Sequence, residues 1–277
     1  MVDKFDVLNF SEEKRLRGFV VVAYTVAYVA YDREMAGAQC YENPPVLDVP
    51  LTGLSGYVET LADLKVYVSG SPHTHTAIIL ASDVYGFEAP NLRKLADKVA
   101  ACGYYVVVPD YFRGDPYVRA TTGDPVANQP EWLSRHRPAQ GFEDSKKLIG
   151  VLYSRGIAAI GASGFCWGAK VVVELAKGDY IKAGVLLHPS LIPVDDFKVT
   201  KAPIAILGAE FDHITPPEII EQYEAILSAR PEVDSFVKIY PAVTHGWAIR
   251  YNNDEVAVKN ADLAHAKMLE WFDKYLK

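Results

Sequence analysis

Cysteine is scarce in this chain, with three residues, Cys40, Cys102 and Cys166, among 277. An odd number cannot pair completely, and no two of them stand at Cys-x-x-Cys spacing, so neither a disulfide framework nor a cysteine-ligated metal is expected. Reduced thiols fit a cytoplasmic location. Basic tracts are missing as well. The 35 acidic side chains outnumber the 28 lysines and arginines, and a net charge of −7 argues against nucleic acid as a partner. No internal repeat or low-complexity segment occurs, which sets aside solenoids and compositional linkers. No apolar run reaches the about 20 residues of a membrane-spanning helix. Phe19 to Tyr31 comes nearest, thirteen residues in which only Thr25 is plainly polar. Asp3, Asp6, Glu12 and Glu13 precede it and make a poor secretory leader, whereas its β-branched and aromatic content suits an added strand.

What the chain does have is hydrophobic material, 50% of its residues, enough for one large core. Apolar segments alternate with amphipathic ones. Lys65–Val68, Thr76–Ala81, Tyr104–Pro109, Ile157–Gly161, Ala183–Leu187, Ile204–Gly208 and Phe236–Tyr240 read as strands. Between them, helical spacing appears over Asn91–Ala101, Phe142–Ser154 and Ala169–Lys177, and a closing helix carries Ala261, Ala264, Met268, Trp271 and Tyr275. The order predicts an α/β protein with a mainly parallel central sheet and helices on both faces. Cys102 ends a helix whose Leu92, Leu95, Ala96 and Val99 recur at core spacing, so it reads as a structural thiol. Tyr111 to Pro138 is long and rich in Pro, Gly, Asp and Arg, with Trp132 and His136 embedded, and is a candidate lid.

The stretch Gly164-Phe165-Cys166-Trp167-Gly168 carries the most chemistry. It is a Gly-x-nucleophile-x-Gly elbow with cysteine as the nucleophile, set between an apolar strand and a helix. Glycine two positions either side is needed because the turn is too sharp for side chains there. A thiolate at the start of the following helix faces exposed backbone N–H groups and the positive end of the helix dipole.

Such a site orders its parts along the chain as nucleophile, acid, base. Asp212 follows the strand Ile204–Gly208 and His245 follows the strand Phe236–Tyr240, in that order. Catalytic groups in open parallel sheets collect at the carboxyl ends of strands, which is where both stand. His188 and His213 also follow apolar runs, but His188 precedes the acid and His213 adjoins it. The order therefore favours His245 as the base.

These residues resemble the dienelactone hydrolase family, the cysteine-nucleophile branch of the α/β-hydrolase superfamily, and plant members in particular. The likeness runs from about Leu54 to the C-terminus, through the Gly164–Ala169 elbow and the His245-Gly246-Trp247 stretch. It implies the α/β-hydrolase fold and a Cys166–His245–Asp212 triad acting on small esters or lactones through a thioester, with no cofactor and no metal. It also implies a thiol-activating carboxylate at Asp83, where the family usually carries glutamate, and an oxyanion hole from the N–H groups of Val84 and Trp167. Arg113 and Arg250, with Tyr85 and Trp247, fall where the family binds substrate, and guanidinium forks suit an anionic carboxylate. Family members begin near Met35, so residues 1–34 are expected to be an extension dispensable for catalysis and 35–53 a leader to a domain over 54–277.

Two other readings are carried alongside. Some plant relatives bear the name of β-glucanases, and glycoside hydrolysis would need two carboxylates flanking a sugar bond, drawn from Asp83, Glu88, Asp110 and Asp212. A hydrolase fold can also hold a small ligand without turning it over.

Overall fold

A computed structural model describes Gln39, Pro44, Pro45 and residues 53–120, 124, 126–251 and 254–277. The expected extension 1–34, its added strand and Cys40 lie outside the described residues, as does most of the leader.

Eight strands form one sheet in the order β1-β2-β4-β3-β5-β6-β7-β8. They are β1 (Tyr57–Leu61), β2 (Leu64–Ser69), β3 (Thr76–Ala81), β4 (Tyr105–Pro109), β5 (Ala159–Phe165), β6 (Ala183–Leu187), β7 (Ile204–Phe211) and β8 (Ser235–Thr244). β1 and β2 make an antiparallel hairpin, and β2 pairs antiparallel with β4; every other pairing is parallel. The hairpin closes on Ala62 and Asp63, both at positive φ, the turn geometry that follows the right-handed twist of the strands. β3, β4 and β6 are apolar nearly throughout and buried along their length, as strands covered on both faces must be.

The covering helices are α1 (Pro90–Ala100), α2 (Gln129–Arg135), α3 (Pro138–Ser154), α4 (Trp167–Ala176), α5 (Pro217–Ser228) and α6 (Glu255–Leu276). α1 and α6 pack on one face through Leu92, Leu95, Val99, Met268, Trp271 and Phe272. On the other face α3, α4 and α5 contribute Leu148, Leu152, Val172, Leu175, Ile220 and Tyr223. The architecture is the α/β sheet with helices on both faces that the alternation implies. Three details differ from that expectation. β1 is an additional strand; its outward residues Tyr57 and Val58 remain exposed and show no one-sided pattern. β7 and β8 run on to Phe211 and Thr244, past the apolar runs, because their last residues still pair across a bulge at Ala209/Phe211. The candidate lid contains a helix, α2, whose seven residues are too few for a clear helical period.

Candidate active site

At the end of β5 the chain turns so sharply that Cys166 sits at φ 50° and ψ −112°, a strained conformation for a residue with a Cβ. The two flanking glycines allow it. A Cβ on Gly168 would lie 2.1 Å from the Ala81 carbonyl oxygen, and one on Gly164 would lie 2.4 Å from that of Gly168. The backbone around the sulfur is fastened to its neighbours: Cys166 N–H donates to the Leu187 carbonyl at 3.2 Å, and its own carbonyl accepts from Ser190 N–H at 3.3 Å. The thiol is buried, at the N-terminus of α4, with its Sγ 3.4 Å from the Ser190 hydroxyl. Ser190 gives no signal in the sequence, since it lies in a loop with no strand ending directly on it.

Asp212 and His245 are the first residues after β7 and β8. Asp212 Oδ1 accepts from the N–H groups of Ile214 (2.8 Å) and Thr215 (3.1 Å), which fixes the carboxylate plane. Its Oδ2 faces His245 Nδ1 at 2.8 Å. The imidazole is hydrogen-bonded on its other side to Cys166. Burial by itself would strip the proton from His245, but the attraction of Asp212 and of the Cys166 sulfur outweighs it and lifts the pKa to about 9. Asp212 and the Cys166 sulfur thus both favour the protonated ring.

Neither competing histidine is bonded to Asp212. His213 is exposed. His188 is buried with its ring 5.1 Å from that of His245, and burial, reinforced by the positive charges of His245 and Arg250, holds it well below its ordinary pKa.

Asp83 follows β3 and is fully buried. Its Oδ1 accepts from Tyr85 N–H at 2.9 Å, and its Oδ2 stands 3.2 Å from Arg250 Nε, an ion pair whose angles fall short of a hydrogen bond. Desolvation raises its pKa and Arg250 opposes that; the nearby Cys166 raises it further, and the balance is pushed up to about 6. Arg250 lies over the Tyr85 ring, with its Cζ 5.5 Å from the centroid. The Ser82 carbonyl accepts from Gly168 N–H at 3.1 Å, which joins the loop carrying Val84 to the elbow carrying Trp167.

The structure therefore gathers Cys166, Asp212, His245, Asp83, Tyr85 and Arg250 into one cluster. It does not bring Arg113 there. That guanidinium is paired in a fork with Asp144, at 3.2 and 3.1 Å, and its side chain is 53% exposed. Trp247 stacks on Tyr240, with centroids 4.6 Å apart, in the core on the α1 and α6 side.

The described residues of the candidate lid, 111–120, 124 and 126–138, include an aromatic layer packed on Trp167 of the elbow. Phe112 packs at 4.8 Å from both Trp167 and Trp132, and Tyr111 at 5.7 Å from Trp167. Trp167 Nε1 donates to the His136 carbonyl (2.8 Å), and Tyr117 N–H to that of Val84 (2.9 Å). A cavity of about 640 Å³ opens behind the His245 loop, lined by Thr244, His245, Gly246 and Arg250 with Lys94, Pro44 and Pro45. Cys166 is not among the residues that line it. Among the described residues no His, Cys, Asp or Glu group is arranged to hold a metal ion, and no helix is long and apolar enough to cross a membrane.

Comparison with known proteins matches the same stretch of chain. The profile of the Dienelactone hydrolase family fits residues 64–276. The chain belongs to this family. An endo-1,3;1,4-beta-D-glucanase of Zea mays is 40% identical over 216 residues, covering 76% of this chain and 69% of that protein. A carboxymethylenebutenolidase homolog of Xenopus tropicalis is 32% identical over 231 residues, covering 81% and 92%. Among solved structures, a Klebsiella pneumoniae protein named as a dienelactone hydrolase superposes with a TM-score of 0.66 at 22% identity, over 79% of this chain and 98% of that one. The family member is accordingly a hydrolase of the carboxylic ester and lactone class with the α/β-hydrolase fold.

Proposed function

We propose that this hydrolase works through a thiol, with Cys166 as nucleophile, His245 as its proton partner and Asp212 as the group that orients the imidazole. The observation that carries the reading is the double engagement of His245, bonded to Asp212 through Nδ1 and to Cys166 on its other side. The Cys166 sulfur attacks the acyl carbon and the C–O bond to the leaving group breaks. His245 gives its proton to the departing alkoxide, leaving a thioester and a neutral imidazole. A water then gives a proton to His245 as its oxygen attacks the thioester, and the acid leaves with the thiolate restored. Charge on the tetrahedral oxygen would be met by the N–H groups of Val84 and Trp167, each worth roughly 3 kcal/mol where such donors have been removed from other hydrolases.

Small esters or lactones are the substrates that the family supports. Asp83 stands in for a longer carboxylate and shares Arg250 with any anionic substrate group; a substrate carboxylate would compete with it for the guanidinium. Arg113 is already matched by Asp144, which leaves Arg250 as the nearer fork. Turnover of short p-nitrophenyl esters and lactones by the wild type beside Cys166→Ala tests the proposal. Loss of turnover in the variant is expected, and equal rates would remove the sulfur from the mechanism.

Glycoside hydrolysis, the activity in the name of the maize relative, finds less support. Asp212 is engaged by His245, Asp83 by Arg250 and Tyr85 N–H, and Asp110 by the backbone of its own turn, while Glu88 stands exposed 3.8 Å from Arg93. Reducing-sugar release from mixed-linkage glucan, insensitive to alkylation of Cys166, would reverse that preference.

A further inference from the structure

We propose that Gln39 is a positioning residue: its side-chain amide grips the peptide groups on both sides of Asp212 and holds the acid against His245. This role rests on the Cys166–His245–Asp212 reading above. Gln39 Nε2 donates to the Phe211 carbonyl at 3.0 Å, and Gln39 Oε1 accepts from His213 N–H at 2.5 Å. The carbonyl of one residue and the N–H of the next but one are the pair that a single residue of a neighbouring parallel strand would take. A primary amide carries its donor and its acceptor on one carbon, so a glutamine side chain can act as that missing residue.

The grip falls where the ladder gives out. β6 pairs with β7 only as far as Leu187↔Leu207, and the bulge between Ala209 and Phe211 interrupts the pairing with β8. Asp212 comes next. It stands one residue beyond the last pair of that ladder, Phe211↔Thr244, and a shift of its backbone would pull Oδ2 off His245 Nδ1. Gln39 is 170 residues and more away in sequence and is itself buried, while the Phe211 and His213 side chains on either side of Asp212 are exposed. Pro44 and Pro45, a few residues on, line the cavity together with Thr244, His245 and Gly246. One short stretch of the leader thus reaches both the loop that carries the acid and the loop that carries the base.

The test replaces Gln39 in the full chain and reads the titration of the His245 ring by NMR together with steady-state hydrolysis. Gln39→Met keeps the volume and removes both bonds. The charged and titratable groups facing His245 from the surrounding loops, Asp212, Cys166, His188, Asp83 and Arg250, stay in place. With the carboxylate less firmly held, His245 should lose its proton lower than about 9, by roughly one pH unit, since that corresponds to about 1.4 kcal/mol of lost attraction. kcat should fall roughly tenfold with KM within about twofold, the pattern of a misplaced catalytic group. Gln39→Asn, which withdraws the amide by one methylene, should lie between, and it decides the matter by the same titration if Gln39→Met does not fold. An unchanged His245 midpoint alongside a lowered melting temperature would overturn the proposal and leave Gln39 as packing. The titration needs no turnover, so it stays readable even if hydrolysis proves independent of Cys166.

Discussion

His245 Nδ1 lies 2.8 Å from Asp212 Oδ2 with both side chains buried, and the carboxylate favours the protonated form of the ring. His188 supplies the comparison inside the same molecule. It is equally buried, 5.1 Å away, and has no carboxylate beside it. Burial moves His188 well below its ordinary value, whereas His245 ends near 9. Desolvation acts in the same direction on both rings; the positive charges of His245 and Arg250 push His188 further down, while Asp212 and the Cys166 sulfur raise His245.

Asp212→Asn should therefore undo it. The amide keeps the shape and accepts one hydrogen bond, but it loses the negative charge that holds the proton on His245. We expect the His245 midpoint to fall from about 9 toward 6.5, and kcat to drop by roughly 10² to 10⁴, the upper end being what the equivalent change costs a serine protease. A ring titration and the pH–rate profile check both; a midpoint left in place would mean that Asp212 does not control the imidazole.

Stability should depend on pH in two windows. For His245 the folded pKa is raised to about 9 from an ordinary 6.5, so its stabilising contribution is complete below pH 6.5 and is lost as pH rises through 9. Asp83 is a carboxyl whose folded pKa is also raised, from 3.8 to about 6. The folded state holds that proton more tightly, so its contribution declines as pH rises from 3.8 through 6. Denaturant midpoints for the wild type should thus fall between pH 7 and 9.5, and His245→Gln should flatten that interval. Asp83→Asn should instead flatten the interval between pH 4 and 6.5.

Much of this site can be read from sequence because each main group directly follows an apolar run: Phe165 before Cys166, the strand from Ile204 before Asp212, the strand from Phe236 before His245. Strand ends announce themselves by hydropathy, and the parallel sheet brings consecutive ends to one edge. Contacts made by long side chains across the chain leave no such trace. The Arg113 fork ends on Asp144, and Arg250 turns back onto Asp83, because the partner of a flexible guanidinium is set by packing and not by spacing. Gln39 is invisible in the sequence for the same reason, its two bonds reaching across more than half the chain. The helix inside the candidate lid escapes a sequence reading because Gln129–Arg135 is too short to show a period.

Two glycine substitutions should separate backbone from side-chain crowding. A Cβ on Gly168 would meet the Ala81 carbonyl oxygen at 2.1 Å and the Ser82 carbonyl oxygen at 2.6 Å, backbone atoms of the central sheet and its adjoining loop that cannot withdraw. Gly168→Ala is expected to yield no soluble folded protein. A Cβ on Gly246, at φ +89°, would meet the Arg250 guanidinium at 2.2–2.3 Å, and that side chain can move. Gly246→Ala should fold, at a strain cost of about 1–3 kcal/mol. Displacing Arg250 leaves Asp83 without its nearest cation and should move the Asp83 titration above 6. Thermal melts and the acid limb of the pH–rate profile distinguish the two.

Truncation offers a separate check on the leader. A chain beginning at Met35 keeps Gln39 and both prolines and should hydrolyse short esters at the full-length rate. Removal through Thr52 takes away the amide bonded to Phe211 and His213 and should lower kcat more than KM. Equal activity from both truncated chains would show that no part of the leader supports the acid.

The aromatic layer should control access to the sulfur. Trp132 packs against Phe112 at 4.8 Å, Tyr117 at 5.7 Å and His136 at 4.8 Å, and its Nε1 donates to the Asp115 carbonyl at 2.9 Å. Phe112 and the His136 carbonyl in turn hold Trp167, the residue after Cys166. Trp132→Ala removes the ring on which this arrangement leans, at about 3–5 kcal/mol for a buried tryptophan. Cys166 is fully buried, so its alkylation by iodoacetamide requires part of the structure to open, and the layer against Trp167, its neighbour in the chain, is the part this substitution tests. A loss of about 3 kcal/mol from the closed arrangement would raise the open population, and with it the alkylation rate, by roughly a hundredfold where opening limits the reaction. Cys102 is exposed and reacts in either case, so the rate is followed on the peptide containing Cys166 by mass spectrometry. An unchanged rate at Cys166, with the melting temperature lowered, would mean that reagent reaches the sulfur by a route that does not pass beneath Trp132.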